Sequence, residues 1–138
     1  MNLKEIYKGQ FLTVYEMEGL PFTCLKNVWD SNSRTMKAED FKNEIEIWCQ
    51  IVEMKKAYAT LVDTLEFRFI LNEKLKNWYN EEITPRKSKA GMRKISFLAP
   101  ESAISKLSIK NLFYKQDEIE FKYFDKYDLA VSWLKEDF

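Results

Sequence analysis

The chain has 138 residues, 46% of them hydrophobic and 15% aromatic, which is enough to fill one domain core and excludes intrinsic disorder. Its 22 basic residues equal its 22 acidic ones, so no net field draws it to nucleic acid or anionic lipid. Histidine is absent, which removes the usual general base and the commonest transition-metal ligand, and with them Ser-His-Asp, Cys-His and His-containing zinc sites.

Three short strands are predicted first, at Lys4–Tyr7, Phe11–Glu18 and Phe22–Trp29. Gly9 and Gly19-Leu20-Pro21 stand where tight turns would join them as an antiparallel meander. Asp30-Ser31-Asn32-Ser33-Arg34 opens like a calcium loop, but Thr35 replaces the turn glycine and Phe41 the bidentate Glu, so no calcium site is expected. An amphipathic helix follows from about Lys37 to Met54. Phe41, Ile45, Trp48 and Val52 recur at helical spacing on one face.

Ala57–Val62 is a nearly continuous apolar run, as expected of a strand buried on both faces. A second helix is predicted from about Leu71 to Glu82, with Leu71, Leu75 and Trp78 inward, and Pro85 and Gly91 then bracket a loop. Met92–Ala99 reads as a strand. Pro100 suits the first turn of a third helical stretch within Glu101–Gln116, with Ser108 as a second N-cap. Ile119–Phe124 alternates in polarity as a last strand. In the final helix Asp125 is placed to cap, Asp128 to complete a capping box, and Phe124 and Leu129 to staple it, with Ala130, Trp133 and Leu134 inward. This order predicts a single α/β domain over residues 1–138. Its mixed β-sheet has an N-terminal antiparallel meander followed by alternating helices and strands.

Candidate sites are few. Asp63 and Thr64 end the strand expected to be most central, the edge where ligands of open α/β sheets bind; Asp63 equally suits the turn leaving that strand. The segment Pro85–Lys94 holds five basic residues, with Arg86 and Lys87 as candidates for a phosphate or an acidic partner, or as a solvated loop after a helix. It has no aromatic residue for base stacking, so nucleic-acid binding is not expected. Glu44, Glu46, Glu81 and Glu82 read as charged helix positions with no catalytic pairing. Cys24 and Cys49 fit neither CxxC spacing nor a paired framework and read as buried thiols. No metal, cofactor or enzymatic activity is expected. No stretch approaches the roughly 20 apolar residues of a membrane span, and Met1–Glu5 lacks a signal-peptide run, so a cytoplasmic location is expected.

Leu61-Val62-Asp63-Thr64-Leu65-Glu66-Phe67, the helix bearing Trp78, Arg93-Lys94-Ile95-Ser96-Phe97-Leu98 and the ending Tyr123-Phe124-Asp125…Ala130…Trp133-Leu134 together resemble the STAS-like, or SpoIIAA-like, domains of bacterial proteins of unassigned function. The resemblance implies a mixed sheet of four or five strands backed by helices. It also implies a non-enzymatic regulatory module that docks on a partner protein through Asp63, Thr64 and the second helix, Asn72 included. In the anti-sigma-factor antagonists of that family a serine at the start of this helix is phosphorylated; here the stretch is Phe69-Ile70-Leu71-Asn72-Glu73, without Ser or Thr. Some domains grouped with the fold carry lipids, so a binder of a small apolar or lipid-like ligand is the alternative. The half-apolar last strand would also permit a homodimer at a sheet edge, with Glu120 and Lys122 placed to oppose it.

Overall fold

The structure is a computed structural model that describes residues 2–104, 118–136 and 138. Six strands, β1 (Leu3–Lys8), β2 (Leu12–Met17), β3 (Cys24–Trp29), β4 (Ala59–Asp63), β5 (Lys94–Leu98) and β6 (Glu120–Phe124), lie side by side in chain order. The first three pair antiparallel as the predicted meander, and β3 to β6 run parallel. The fold class expected from the sequence is therefore the one observed, with six strands rather than four or five. Parallel neighbours need long crossovers. Helix α1 (Ala38–Lys55) supplies the first, and α2 (Glu73–Trp78) with α3 (Thr84–Ala90) the second. A short α4 (Glu101–Ile104) follows β5, and α5 (Tyr127–Lys135) closes the chain. The predicted helix out to Gln116, with its restart at Ser108, lies outside the described residues.

Strand parity sorts the side chains into two layers. Leu12, Val14, Leu25, Trp29, Val62, Ile95 and Phe97 meet Phe41, Ile45, Trp48 and Val52 of α1 in the larger core. Met17, Cys24, Ala59, Leu61 and Leu98 point the other way, against Ala130, Val131 and Leu134 of α5. Every residue of β5 and the first four of β4 are buried. That explains why β4 reads as an unbroken apolar run.

Two local readings are corrected. The second helix does not stop before Pro85. It widens into a π turn at Tyr79–Ile83 and continues as α3 until Gly91, whose φ of 106° forms a left-handed cap. Pro85 lacks the N–H a regular helix would use and its ring crowds the preceding turn; the π turn just before it absorbs the misfit. Arg86 and Lys87 thus sit on a packed helix, not a loop. At α5 the cap position is Lys126, without a side-chain hydrogen bond, and Leu129 is 52% exposed. Phe124 packs on Trp133 instead, at 5.9 Å between centroids. That contact between β6 and α5 replaces the local staple.

Cys24 and Cys49 are both free and buried. Burial pushes the Cys24 thiol up to about 12 and the Cys49 thiol up to about 11, the latter against the opposing pull of Arg86. Each folded value lies above the ordinary 9.0, so the neutral thiols favour the folded state fully below that pH. The contribution then falls by about 1.4 kcal/mol per pH unit per thiol until the folded value is reached. Urea unfolding should therefore show stability a few kcal/mol lower at pH 11 than at pH 8. A native-state thiol reagent at pH 8 should label neither cysteine before unfolding. Equal stability at both pH values would show that the thiols ionise in the folded protein.

Candidate functional site

The candidate site is the carboxyl edge of β4 and the extended segment that leaves it. Asp63 Oδ1 accepts from the Leu65 backbone N–H at 3.0 Å, so its carboxylate shapes the turn. Thr64 is stitched to the end of β5, its N–H at 2.8 Å and its Oγ1 at 2.9 Å both donating to Leu98 O. Asn72 caps α2 by accepting from the Leu75 N–H at 2.9 Å. Between these fixed ends residues 65–71 alternate like a strand. Phe67, Phe69 and Leu71 turn inward, whereas Glu66, Arg68 and Ile70 are exposed. The Arg68 backbone N–H donates to the buried Ser33 Oγ at 2.8 Å, tying the segment to the 3-10 turn Ser31–Thr35.

The inward rings build an aromatic cluster. Phe67 lies edge-on to Trp29 at 5.0 Å, Phe69 stacks on Phe41 at 5.7 Å, and Phe41 stacks on Trp29 at 5.8 Å and meets Trp78 edge-on at 6.4 Å. Such pairs add about 0.5–1.5 kcal/mol each beyond area burial. The segment is therefore held in place while Ile70 stands 87% exposed at its outer side.

Beneath the cluster, between α1 and the sheet, lies a cavity of about 50 Å³ that Asn27, Trp48, Val62, Thr64, Phe67 and Phe97 help to line. A usual ligand pocket measures roughly 300–1,000 Å³. Sheet register sets Val14, Asn27, Val62, Phe97 and Tyr123 in one row across five strands, so Asn27 is an amide among apolar neighbours. Asn27 Oδ1 and Trp48 Nε1 are buried without a hydrogen-bond partner among the described residues. Each such group costs about 1–3 kcal/mol. Sequence reasoning missed Asn27, although its inward parity in β3, between Leu25 and Trp29, was a legible signal.

Arg86 and Lys87 are engaged by partners other than Asp63, Thr64 and Asn72. The Arg86 guanidinium grips Glu46 at 2.8 Å through two nitrogens and Glu53 at 2.7 Å, clamping α3 to α1. Glu46, then Glu53, push its pKa up, while Arg86 holds both carboxylates below their ordinary range. Lys87 is fully buried. Its Nζ donates to Tyr79 Oη at 3.0 Å and lies 4.7 Å from the centre of that ring. No cluster of three or more metal-ligating side chains occurs among the described residues, and no described helix is long and apolar enough to cross a membrane. Comparison of the chain with protein-family models, curated proteins and solved structures returned no match.

Proposed function

We propose that this chain is a non-enzymatic, STAS-like interaction module that docks on a protein partner through the carboxyl edge of β4. The observation that carries this reading is Ile70. An isoleucine left 87% exposed on a segment anchored by two phenylalanines, a leucine and a backbone bond to Ser33 is a preformed apolar knob. Docking it loses little conformational entropy. Glu66 and Arg68 are exposed on the same side of the alternating segment, so the apolar knob has charged neighbours along the chain, in keeping with the usual polar surroundings of an interface anchor. The N-terminal meander followed by alternating helices and strands supports the STAS-like assignment.

The test is quantitative capture from extracts of the native cell with wild type, Ile70→Glu and Asp63→Lys, together with sedimentation at micromolar concentration. Ile70→Glu should reduce recovery of the partner at least tenfold, a loss of about 1.4 kcal/mol. Its thermal midpoint should stay near that of wild type, because the side chain has little to lose in the fold. If the partner is a second copy, Ile70→Glu should lower the sedimentation coefficient to that of a monomer. Equal recovery by all three proteins would remove the docking reading, and turnover abolished by Asp63→Asn would remove the non-enzymatic one.

A further inference from the structure

The two ends of the sheet differ in what they offer a further strand, and neither belongs to the docking edge of β4. At one end the β1–β2 register slips between Glu5 and Tyr7, a bulge of the kind that blunts an edge against further pairing. At the other end β6 pairs with β5 without interruption from Glu120 to Phe124, and no described strand lies beyond it. The Glu120 N–H donates to Arg93 O and Phe124 O accepts from the Ala99 N–H, both at 2.9 Å. Alternation along the ladder therefore turns the Phe121 N–H and C=O outward, away from β5. Phe121 packs edge-on to Phe97 at 6.4 Å on the α1 side of the sheet. Glu120 and Lys122 are exposed on the opposite face, with Phe124, and neither forms an ion pair among the described residues.

We propose that β6 pairs antiparallel with β6 of a second copy of this chain, about a two-fold axis at Phe121. In such a pair, residues on the same face stand opposite each other, and every contact occurs twice. Centred on Phe121, the two outward-facing backbones exchange both of their hydrogen bonds, and the two rings lie side by side. Glu120 then stands opposite Lys122 of the second copy, and Lys122 opposite its Glu120, in the closely spaced positions between hydrogen-bonded pairs. Moving the axis one residue either way sets Glu120 against Glu120 or Lys122 against Lys122. The charges that guard this edge against unrelated strands thus select the chain itself, in one register. A pair of five-residue strands is a small interface, so the dimer is weak and reversible.

The test is sedimentation equilibrium of the whole chain from micromolar to millimolar concentration, where wild type should dimerise reversibly. Glu120→Lys sets cations against cations, and Lys122→Glu sets anions against anions. Each variant alone should associate at least about tenfold more weakly than wild type. An equimolar mixture of the two restores both opposite-charge pairs and should recover the association, as should the doubly swapped Glu120→Lys/Lys122→Glu chain. Recovery in the mixture cannot come from variants that fail to fold. Ile70→Glu leaves this edge untouched and should sediment as wild type does, which separates the result from docking at β4. A wild type that stays monomeric throughout would overturn the proposal, as would single variants that dimerise like wild type or a mixture that does not recover. Dimers lost in Ile70→Glu but kept in Glu120→Lys would place self-association at the docking edge and overturn it too.

Discussion

Replacing Glu44 by alanine should destabilise the fold by about 3–5 kcal/mol, the usual consequence of breaking a buried charged contact. Glu44 is a buried carboxylate on α1. Its Oε2 accepts from the backbone N–H groups of Phe11 at 2.9 Å and Leu12 at 2.7 Å, and its Oε1 accepts from the Tyr7 hydroxyl. One side chain thus joins the main crossover helix to the β1–β2 hairpin. Alanine would leave two buried backbone donors and a phenol unpaired, each deficit costing about 1–3 kcal/mol before relaxation. For a domain of this size the thermal midpoint should fall by roughly 12–20 °C.

Glu44→Gln keeps an acceptor oxygen in place and should lose less than half as much, which separates the hydrogen bonds from the charge. Gly9 supplies a second arm of the test. A Cβ there would overlap both Glu44 carboxylate oxygens and the Tyr7 hydroxyl, so Gly9→Ala should destabilise through the same contact. If Glu44→Ala loses less than about 1 kcal/mol, water reaches the hairpin turn and the carboxylate is not what holds it.

Glu44 also shows where the sequence was legible and where it was not. The α1 stripe of Phe41, Ile45, Trp48 and Val52 was visible from spacing alone, because helical period and burial agree there. Glu44 stands on the same face, three residues after Phe41, yet its charge argued for solvent. Only the hairpin across from it explains its burial, and that contact spans more than thirty residues of chain. Lys87 was hidden for a related reason. With the helix ended at about Glu82 it read as part of a basic loop; on the continued helix its ammonium comes to lie over the Trp48 and Tyr79 rings, an attraction of cation for aromatic face. Asp63 and Thr64 were placed correctly at the carboxyl edge of a central strand, since strand parity and the end of an apolar run are local properties. The apolar alternation Phe67, Phe69, Leu71 that builds the segment beside them was equally local. It carried no weight without knowledge of the cavity it covers.

Trp48→Ala should lower stability by about 3–5 kcal/mol, the range for emptying an aromatic core site. Trp48 lies mid-helix on α1, fills the layer between that helix and the sheet, and carries the Lys87 ammonium 6.0 Å from its ring. Cost depends on how far the surroundings can collapse, and here they are braced. α1 is tied to the hairpin by Glu44 and to α3 by Arg86, so the void should persist and merge with the cavity already beside the indole. Trp48→Phe should lose less than half as much as Trp48→Ala, because it keeps most of the ring volume and removes an N–H that has no partner among the described residues. The enlarged cavity of the alanine variant gives an independent readout. Millimolar indole should raise its thermal midpoint while leaving that of Trp48→Phe nearly unchanged, since a ligand bound only to the folded state stabilises it by mass action. A loss below about 1 kcal/mol for Trp48→Ala, or an indole response equal in both variants, would mean that the space closes on its own and that α1 is not braced as described.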